Sequence, residues 1–238
     1  MGLTRRAANA LWLVGAAGAL AVLKRAFSDA PAESFRWLLT PATVLAGALT
    51  RLEFRWEEGV GYRNAPLHYT IVPACSGLTF FLAAAGTLFT FLALPRHTSA
   101  ARAAWTAGAL AGAYLTTLFA NTVRLATALE IHRHHLSLAG LSGPELHRLV
   151  GLAVYLLALL ALVELARAAH PGRKVVAMVV AACAWYLGMT LGLPLLQGRG
   201  TTAAFATHAA WLLGTLALLV GTRLAWAARP RRQLSASG

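Results

Sequence analysis

The sequence has few charged residues and few cysteines. Charged residues make up 12% of the 238 positions and hydrophobic residues 58%, whereas a soluble domain usually has about twice this charged fraction. This balance argues against a soluble globular domain. The two cysteines, Cys75 and Cys183, lie in surroundings too different to suggest a pair, and two cysteines cannot form a disulfide framework. The chain has no internal repeat and no low-complexity tract.

Acidic residues are also scarce. Eight Asp and Glu face 21 Lys and Arg, giving a net charge of +13. In a soluble protein this excess would suggest nucleic acid, but here most basic residues lie in short loops between apolar runs, where they orient a chain in a membrane. No basic stripe interleaved with aromatic residues occurs, so no nucleic-acid partner is predicted.

Six apolar runs are long enough to cross a hydrocarbon core of about 30 Å as helices. They are residues 7–23, 76–94, 103–125, 147–169, 175–193 and 204–226. Lys24 and Arg25 follow the first run where small residues would mark a signal cleavage site, so this run is predicted to be retained. A seventh segment, 35–49, is shorter and contains Pro41; it can lie at the interface, re-enter the membrane, or cross it with tilt.

The predicted fold class is therefore an all-α polytopic membrane protein, a bundle of six to seven transmembrane helices. Residues 1–238 are expected to form one membrane domain. Between residues 49 and 75 the pattern changes, because Leu52, Phe54 and Trp56 alternate with charged residues, and Tyr69 and Ile71 alternate again after a glycine-containing turn. Such period-2 runs around a turn predict a small β-hairpin before Cys75, half-buried at the membrane surface.

Sidedness follows from the basic residues near the span ends. The tail at 229–232 contains three arginines, and the short loops near Arg96 and Arg173 are basic, so these segments are predicted to be cytoplasmic. Cys75 is then extracytoplasmic whether or not residues 35–49 cross; only the side of the N-terminus depends on that segment.

Three antiparallel spans bring Cys75, Arg124 and His147 to one membrane face. A thiol acts as a nucleophile in its thiolate form, which a helix N-terminus or a nearby cation favours. Cys75 is predicted to begin a helix, with Ser76 and Gly77 leaving the backbone open there. Arg124 has two candidate roles, stabilising the thiolate or donating hydrogen bonds to an oxyanion. His147 is the candidate proton carrier.

One further residue supports this set. Asn121 lies one turn before Arg124 on the same predicted helix and is expected to orient it.

Three short motifs resemble those of one known family. They are PACSG at 73–77, NTVR at 121–124 and HRLVG at 147–151. In order and position at span ends they resemble the motif blocks of the exosortase/archaeosortase family, and the chain is similar to a short bacterial member. The resemblance covers residues 60–165, the predicted catalytic core, and leaves 170–238 as two additional spans. Arg148 and Leu152 depart from the family pattern, which often has an acid and an aromatic residue there.

The resemblance implies a function. Family members are membrane proteases, thought to act as transpeptidases, on exported proteins that end in a sorting motif, a transmembrane helix and a basic cluster. Their functional Cys, Arg and His match Cys75, Arg124 and His147. Cleavage would proceed through a thioester on Cys75 at the extracytoplasmic face of the bacterial inner membrane. No cofactor and no metal are implied; the expected partners are the lipid bilayer and the substrate proteins, and no oligomeric state is specified.

Other functional hypotheses remain open. A non-catalytic membrane scaffold or assembly factor could keep the same helix bundle. A transporter is disfavoured because the spans are apolar except at their ends. A cluster of outer-loop residues has a spacing that could bind a metal, although a solvated surface is the preferred interpretation. The cluster consists of Glu130, His132, Arg133, His134 and His135.

Four residues within the spans receive simpler interpretations. Glu164 is predicted to pair with Arg167, three residues further along the same helix. Tyr155, His208 and Trp211 are predicted to serve in packing or at the membrane interface.

Overall fold

The long apolar runs form helices, because a helix satisfies its own backbone hydrogen bonds where a bilayer offers none. The computed structural model describes residues 2–96, 98–137, 140–169, 172, 174–198, 200 and 202–227. The helices in these residues are α1 (Gly2–Ser28), α2 (Arg36–Thr50), α3 (Leu78–Leu88), α4 (Ser99–Arg133), α5 (Gly143–Ala169), α6 (Val175–Leu187), α7 (Leu193–Leu196) and α8 (Ala203–Ala227).

Five helical stretches of the described chain are long and apolar enough to cross a membrane. They are Arg6–Ser28, Pro73–Ala93, Ser99–Arg133, Glu145–Ala168 and Val175–Leu196. Each contains or closely overlaps one of the predicted spans. The sixth predicted span, residues 204–226, is helical as α8, but its apolar part is the shorter stretch Phe205–Leu219.

Helix α3 is the centre of the bundle. In the span that contains it, 78% of the most apolar window is buried, whereas the corresponding window of α1 is 6% buried. Phe80, Leu82 and Ala83 of α3 are almost completely buried, and the helix packs against α1, α4, α5 and α6. Helix α3, which follows the Cys75 turn, is therefore held between several other helices.

The short segment with Pro41 forms helix α2. Its 15 residues extend about 22 Å at the usual rise per residue, less than a hydrocarbon core of about 30 Å. Leu38, Leu39 and Ala42 are buried, and α2 lies along α4. The helix thus packs as part of the bundle.

The segment predicted to form a hairpin contains an antiparallel sheet with three strands in the described residues. The strands are β1 (Arg55–Glu57), β2 (Gly61–Asn64) and β3 (Tyr69–Ile71), in that order. The predicted pairing of the 52–56 run with the 67–71 run is wrong, because a second turn divides the later run and places β2 between β1 and β3. At this turn Asn64 Oδ1 accepts the Leu67 N–H at 2.8 Å, and His68 adopts a positive φ of 49°.

Helix α4 is longer than predicted. It has 35 residues, about 52 Å, and continues beyond the predicted end at residue 125. Glu130 lies 3.6 Å from Arg133 and 3.1 Å from His134, and such pairs three and four residues apart support a helix. The prediction that Glu130, His132 and Arg133 lie in a loop is therefore wrong; they form the last turn of α4.

Candidate active site

Cys75 closes a 3₁₀ turn, Pro73–Cys75, just before α3. Its N–H donates to the Val72 carbonyl at 2.7 Å. Gly77 follows with a φ of +77°, a conformation that residues with a Cβ rarely adopt. The prediction that Cys75 begins the helix is wrong by three residues, because this glycine turns the chain before α3 starts at Leu78.

The residues after Cys75 are tightly enclosed. Ser76 is 3% exposed, and its Oγ accepts the Leu78 N–H at 3.3 Å. A Cβ on Gly77 would lie 3.1 Å from the Tyr155 hydroxyl and 3.3 Å from Asn121 Cγ. The predicted supporting residues Ser76 and Gly77 thus let the Cys75 turn approach α4 and α5 closely, while the Cys75 side chain is half-buried.

Asn121 connects the Cys75 turn to the arginine. Its Nδ2 donates to the Cys75 carbonyl at 2.9 Å. Its Oδ1 accepts from Arg124 Nη1 at 3.1 Å and from the Tyr155 hydroxyl at 2.8 Å. Asn121 is 1% exposed, and both ends of its amide are used, which fixes the distance between the turn and α4. The predicted orienting contact of Asn121 with Arg124 is present.

Arg124 is held by neutral groups. Besides Asn121, its Nη1 donates to the Tyr155 hydroxyl at 3.3 Å, and its Cζ lies 5.5 Å from the centre of the Tyr155 ring. The ion pairs of the described residues join other arginines to carboxylates. Arg124 is within electrostatic range of Cys75, so its positive charge is available to a group beside the thiol.

Tyr155 belongs to this network, which the sequence does not predict. Its ring stacks on Phe80 of α3 with centres 4.6 Å apart and an angle of 8°, while its hydroxyl bonds both Asn121 and Arg124. The packing role predicted for Tyr155 is thus incomplete. The signal was its spacing, since His147, Gly151 and Tyr155 recur every four residues and share one face of α5.

Gly151 brings α5 against the arginine. A Cβ at this position would lie 3.0 Å from Arg124 Nε, so the glycine allows close contact between α4 and α5. His147 lies one turn earlier on the same face, is half-buried and is within electrostatic range of Arg124. Within the described residues no hydrogen bond joins His147 directly to the Cys75 thiol, so the two groups are not in direct contact in this structure.

A cavity of about 740 Å³, here called the first cavity, opens beside this network. Ala74, Ser76 and Gly77 from the Cys75 turn line it, together with Arg124 and His147. Its volume is in the range of pockets that hold a drug-sized ligand. The structure therefore gathers the turn of Cys75, Arg124 and His147 around one space.

The charged side chains that line the first cavity are basic. Lys24, Arg148 and His208 add to Arg124 and His147, and no carboxylate is among its described lining residues. The interface role predicted for His208 is thus incomplete, because it contributes to the cavity wall.

A second cavity, of about 440 Å³, lies on the side of His147 toward the sheet. Tyr69 of β3, His132, His135 and Ser137 line it, and so does His147. Tyr69 is within electrostatic range of both Cys75 and Arg124. Burial raises the pKa of the Tyr69 hydroxyl, and the nearby Cys75 adds to this shift, so Tyr69 is a neutral donor at physiological pH.

The histidine cluster at the end of α4 has structural partners. His132 Nε2 lies 3.1 Å from the Leu67 carbonyl, and its ring lies 5.0 Å from that of Tyr69, which ties α4 to the sheet. No group of three or more His, Cys, Asp or Glu in the described residues is arranged to hold a metal ion. The metal hypothesis gains no support from this geometry.

Two further predicted positions lie away from the site. Cys183 is a half-buried free cysteine on α6. Arg167 Nε donates to Glu164 Oε2 at 2.7 Å, which confirms the predicted pair on α5.

Comparison of the chain with protein-family models, with curated proteins and with solved structures finds no match. Function is therefore inferred from the side chains and motifs of this chain alone. The most informative group is the network that joins the Cys75 turn to Arg124.

Proposed function

We propose that this chain is a membrane-embedded cysteine protease or transpeptidase similar to exosortases and archaeosortases. The observation that carries the proposal is the hydrogen-bonded connection from the Cys75 carbonyl through Asn121 to Arg124, beside a cavity that His147 also lines. Nucleophile, cation and proton carrier come from three different helices or their ends. Packing alone gives no reason for these three residue types to converge.

The first step is attack of the Cys75 sulfur on a substrate carbonyl carbon. The thiol proton passes to His147, directly or through a water once substrate is bound, since catalytic contacts often tighten only in the complex. The new C–S bond pushes the carbonyl electron pair onto oxygen. Collapse of this intermediate breaks the C–N bond, and His147 returns the proton to the leaving amine, which leaves a thioester on Cys75.

Arg124 is the candidate stabiliser of the oxyanion, the thiolate, or both. A charged donor aimed at developing negative charge is worth most in a site that excludes water. Arg124 suits this role because its observed partners, Asn121 and Tyr155, are neutral. A carboxylate partner would compete with the reaction for the same charge.

The membrane arrangement also supports the proposal. The Cys75 turn precedes α3, Arg124 lies in the second half of α4, and His147 lies near the start of α5, so antiparallel spans place them at one end of the bundle. We propose six to seven transmembrane helices, with α8 and, in one version, α2 joining the five apolar spans. Basic loops at the opposite end favour an extracytoplasmic site in the bacterial inner membrane.

Such a site would act on exported proteins held by a C-terminal transmembrane helix. The helix would anchor the substrate in the bilayer and present the preceding segment to the first cavity. Thioester formation releases the helix, and an amine or water then resolves the thioester.

The test compares surface proteins of strains carrying the wild-type chain, Cys75→Ala, or Cys183→Ala as the matched control. Mass spectrometry is expected to find proteins that keep their C-terminal helix only in the Cys75→Ala strain. Arg124→Ala and His147→Ala are expected to slow processing about 10²-fold or more. Normal processing by Cys75→Ala in cells without a paralogue would overturn the proposal. Normal assembly of a partner complex in that strain would instead favour the scaffold function.

A further inference from the structure

His147 is shared by two cavities with different walls. The first cavity includes Ala74, Ser76 and Gly77 from the Cys75 turn. The second cavity includes none of these residues; its wall is formed by Tyr69 of the sheet, the end of α4, the segment that follows it and the start of α5. Because the His147 side chain lines both cavities, it can exchange a proton with a group bound in either cavity.

The second cavity is connected to the Cys75 turn through His147. Cys75 is not among the described lining residues of either cavity, but its chain neighbours Ala74 and Ser76 line the first cavity together with His147. Tyr69 lines the second cavity, also with His147, and interacts electrostatically with Cys75. His147 therefore borders both the space along the Cys75 turn and a separate space toward the sheet.

The two steps of the proposed reaction need binding sites for two different molecules, the substrate peptide and the acceptor. During thioester formation the substrate peptide must lie along the Cys75 turn, in the first cavity. The acceptor that later attacks the thioester needs a position beside His147 that the bound acyl chain does not fill. The second cavity offers this position.

We infer that the second cavity binds the acceptor, a molecule with a primary amine, that resolves the Cys75 thioester. This inference rests on the proposed function. The cavity, of about 440 Å³, has room for an amine-bearing molecule, and resolution by water is the alternative that the experiment below distinguishes. Tyr69, Ser137 and the imidazoles of His132 and His135 supply hydrogen-bonding groups around it.

Resolution of the thioester transfers the acyl group from Cys75 to the amine. The amine nitrogen attacks the thioester carbonyl carbon and forms the new C–N bond, while one N–H proton passes to His147. The C–S bond then breaks, its electron pair returns to the Cys75 sulfur, and His147 gives the proton to that thiolate. The enzyme is restored, and the substrate has gained the acceptor as an amide.

The experiment fills each cavity separately in the full chain, purified in lipid nanodiscs, with a substrate found by the comparison of strains above. Ala128→Leu and Ser137→Trp add side chains to the wall of the second cavity; Ser137 is exposed and tolerates a large change more easily than buried Ala128. Thr190→Trp, on the wall of the first cavity, is the matched control. The probe acceptor is glycinamide.

Filling the second cavity is expected to leave the first release of the C-terminal fragment intact. Transfer to glycinamide falls about 10²-fold, the scale seen when a reactant is no longer held in place. Acyl-enzyme on Cys75 then accumulates and is seen by intact-protein mass spectrometry. Thr190→Trp instead slows fragment release, and the acyl-enzyme that does form transfers at the normal rate.

Three results would overturn the inference while leaving the proposed function in place. They are normal transfer in both second-cavity variants, loss of transfer in Thr190→Trp acyl-enzyme, and a wild-type product that is only hydrolysed at saturating glycinamide. Absence of any fragment release or acyl-enzyme in the wild type would overturn the proposed function itself. The two failures are therefore distinguishable.

Discussion

Removing the hydroxyl of Tyr155 tests whether the network orients Arg124. In Tyr155→Phe the ring keeps its stack on Phe80, at 4.6 Å, so the packing between α3 and α5 is preserved. What is lost is the hydrogen bond to Asn121 at 2.8 Å and the one from Arg124 at 3.3 Å. Arg124 then keeps only its bond to Asn121 on this side.

The expected size of the effect follows from these two bonds. A hydrogen bond to a charged group contributes about 1.5–3 kcal/mol, and the length of 3.3 Å places the Arg124 bond at the low end of this range. If that contribution is lost from the transition state, the rate falls about tenfold, because 1.4 kcal/mol corresponds to a factor of ten. Arg124→Ala removes the donor itself and is expected to lower the processing rate about 10²–10³-fold.

The assay is pulse-chase measurement of substrate processing, with thermal unfolding of the purified protein beside it. Tyr62→Phe is the matched control, since Tyr62 donates to Thr40 Oγ1 at 2.8 Å and packs on Trp56 with ring centres 5.1 Å apart, away from the site. Both substitutions are expected to lower stability by about 1 kcal/mol or slightly more. Only Tyr155→Phe should slow processing.

Wild-type processing by Tyr155→Phe, in a background where Arg124→Ala is inactive, would refute an orienting role for Tyr155. Equal slowing by Tyr62→Phe would also refute it, because the effect would then follow stability. If the processing rate of Tyr155→Phe falls only in proportion to the amount of folded protein, an orienting role for Tyr155 is refuted as well.

Two other predictions address neighbouring contacts. Gly151→Ala is expected to slow processing about tenfold or more, because its Cβ would lie 3.0 Å from Arg124 Nε and a small displacement of a catalytic group lowers the rate strongly. Gly108→Ala is the control and should process normally, because its Cβ would meet nothing within 4 Å. Equal processing rates in the two variants would contradict the importance of the Gly151 contact. The Gly59 N–H donates to Glu33 at 2.8 Å and holds the pKa of this carboxyl below its ordinary value. We therefore expect the Gly59 amide to be protected from hydrogen exchange, after correction for intrinsic rates, to a constant degree above about pH 4.3, the ordinary pKa of Glu. This protection should fall as the pH drops below the lowered pKa of Glu33. The same pH profile in Glu33→Gln would exclude the carboxyl as the cause.

The convergence of Cys75, Arg124 and His147 could be predicted because antiparallel spans permit few arrangements. A residue at the start of one span, near the end of the next and at the start of the third must lie at similar depth. The contacts between them could not be predicted in this way. Depth does not specify rotation about a helix axis, and the rotation of α5 brings Gly151 and Tyr155, as well as His147, toward Arg124.

Tyr155 was assigned to packing for a physical reason. A tyrosine in an apolar helix commonly buries its ring and finds one partner for its hydroxyl, and its ring does stack on Phe80. Only the three-dimensional structure reveals that its partners are Asn121 and Arg124. The third strand and the last two turns of α4 were missed for a related reason, since local pairs at Asn64 and Glu130 decide them and these pairs leave little trace in hydropathy.

The environment of Arg124 argues for function more strongly than any single motif residue. Removing a guanidinium from water is costly, and a carboxylate is the usual partner that offsets this cost. In the described residues Arg124 instead relies on an amide oxygen, a hydroxyl and an aromatic ring. Selection for stability alone would favour a carboxylate partner beside Arg124 or an apolar residue in its place. A charge kept without a counterion, beside a cysteine and facing a cavity, is what a reaction that develops negative charge requires.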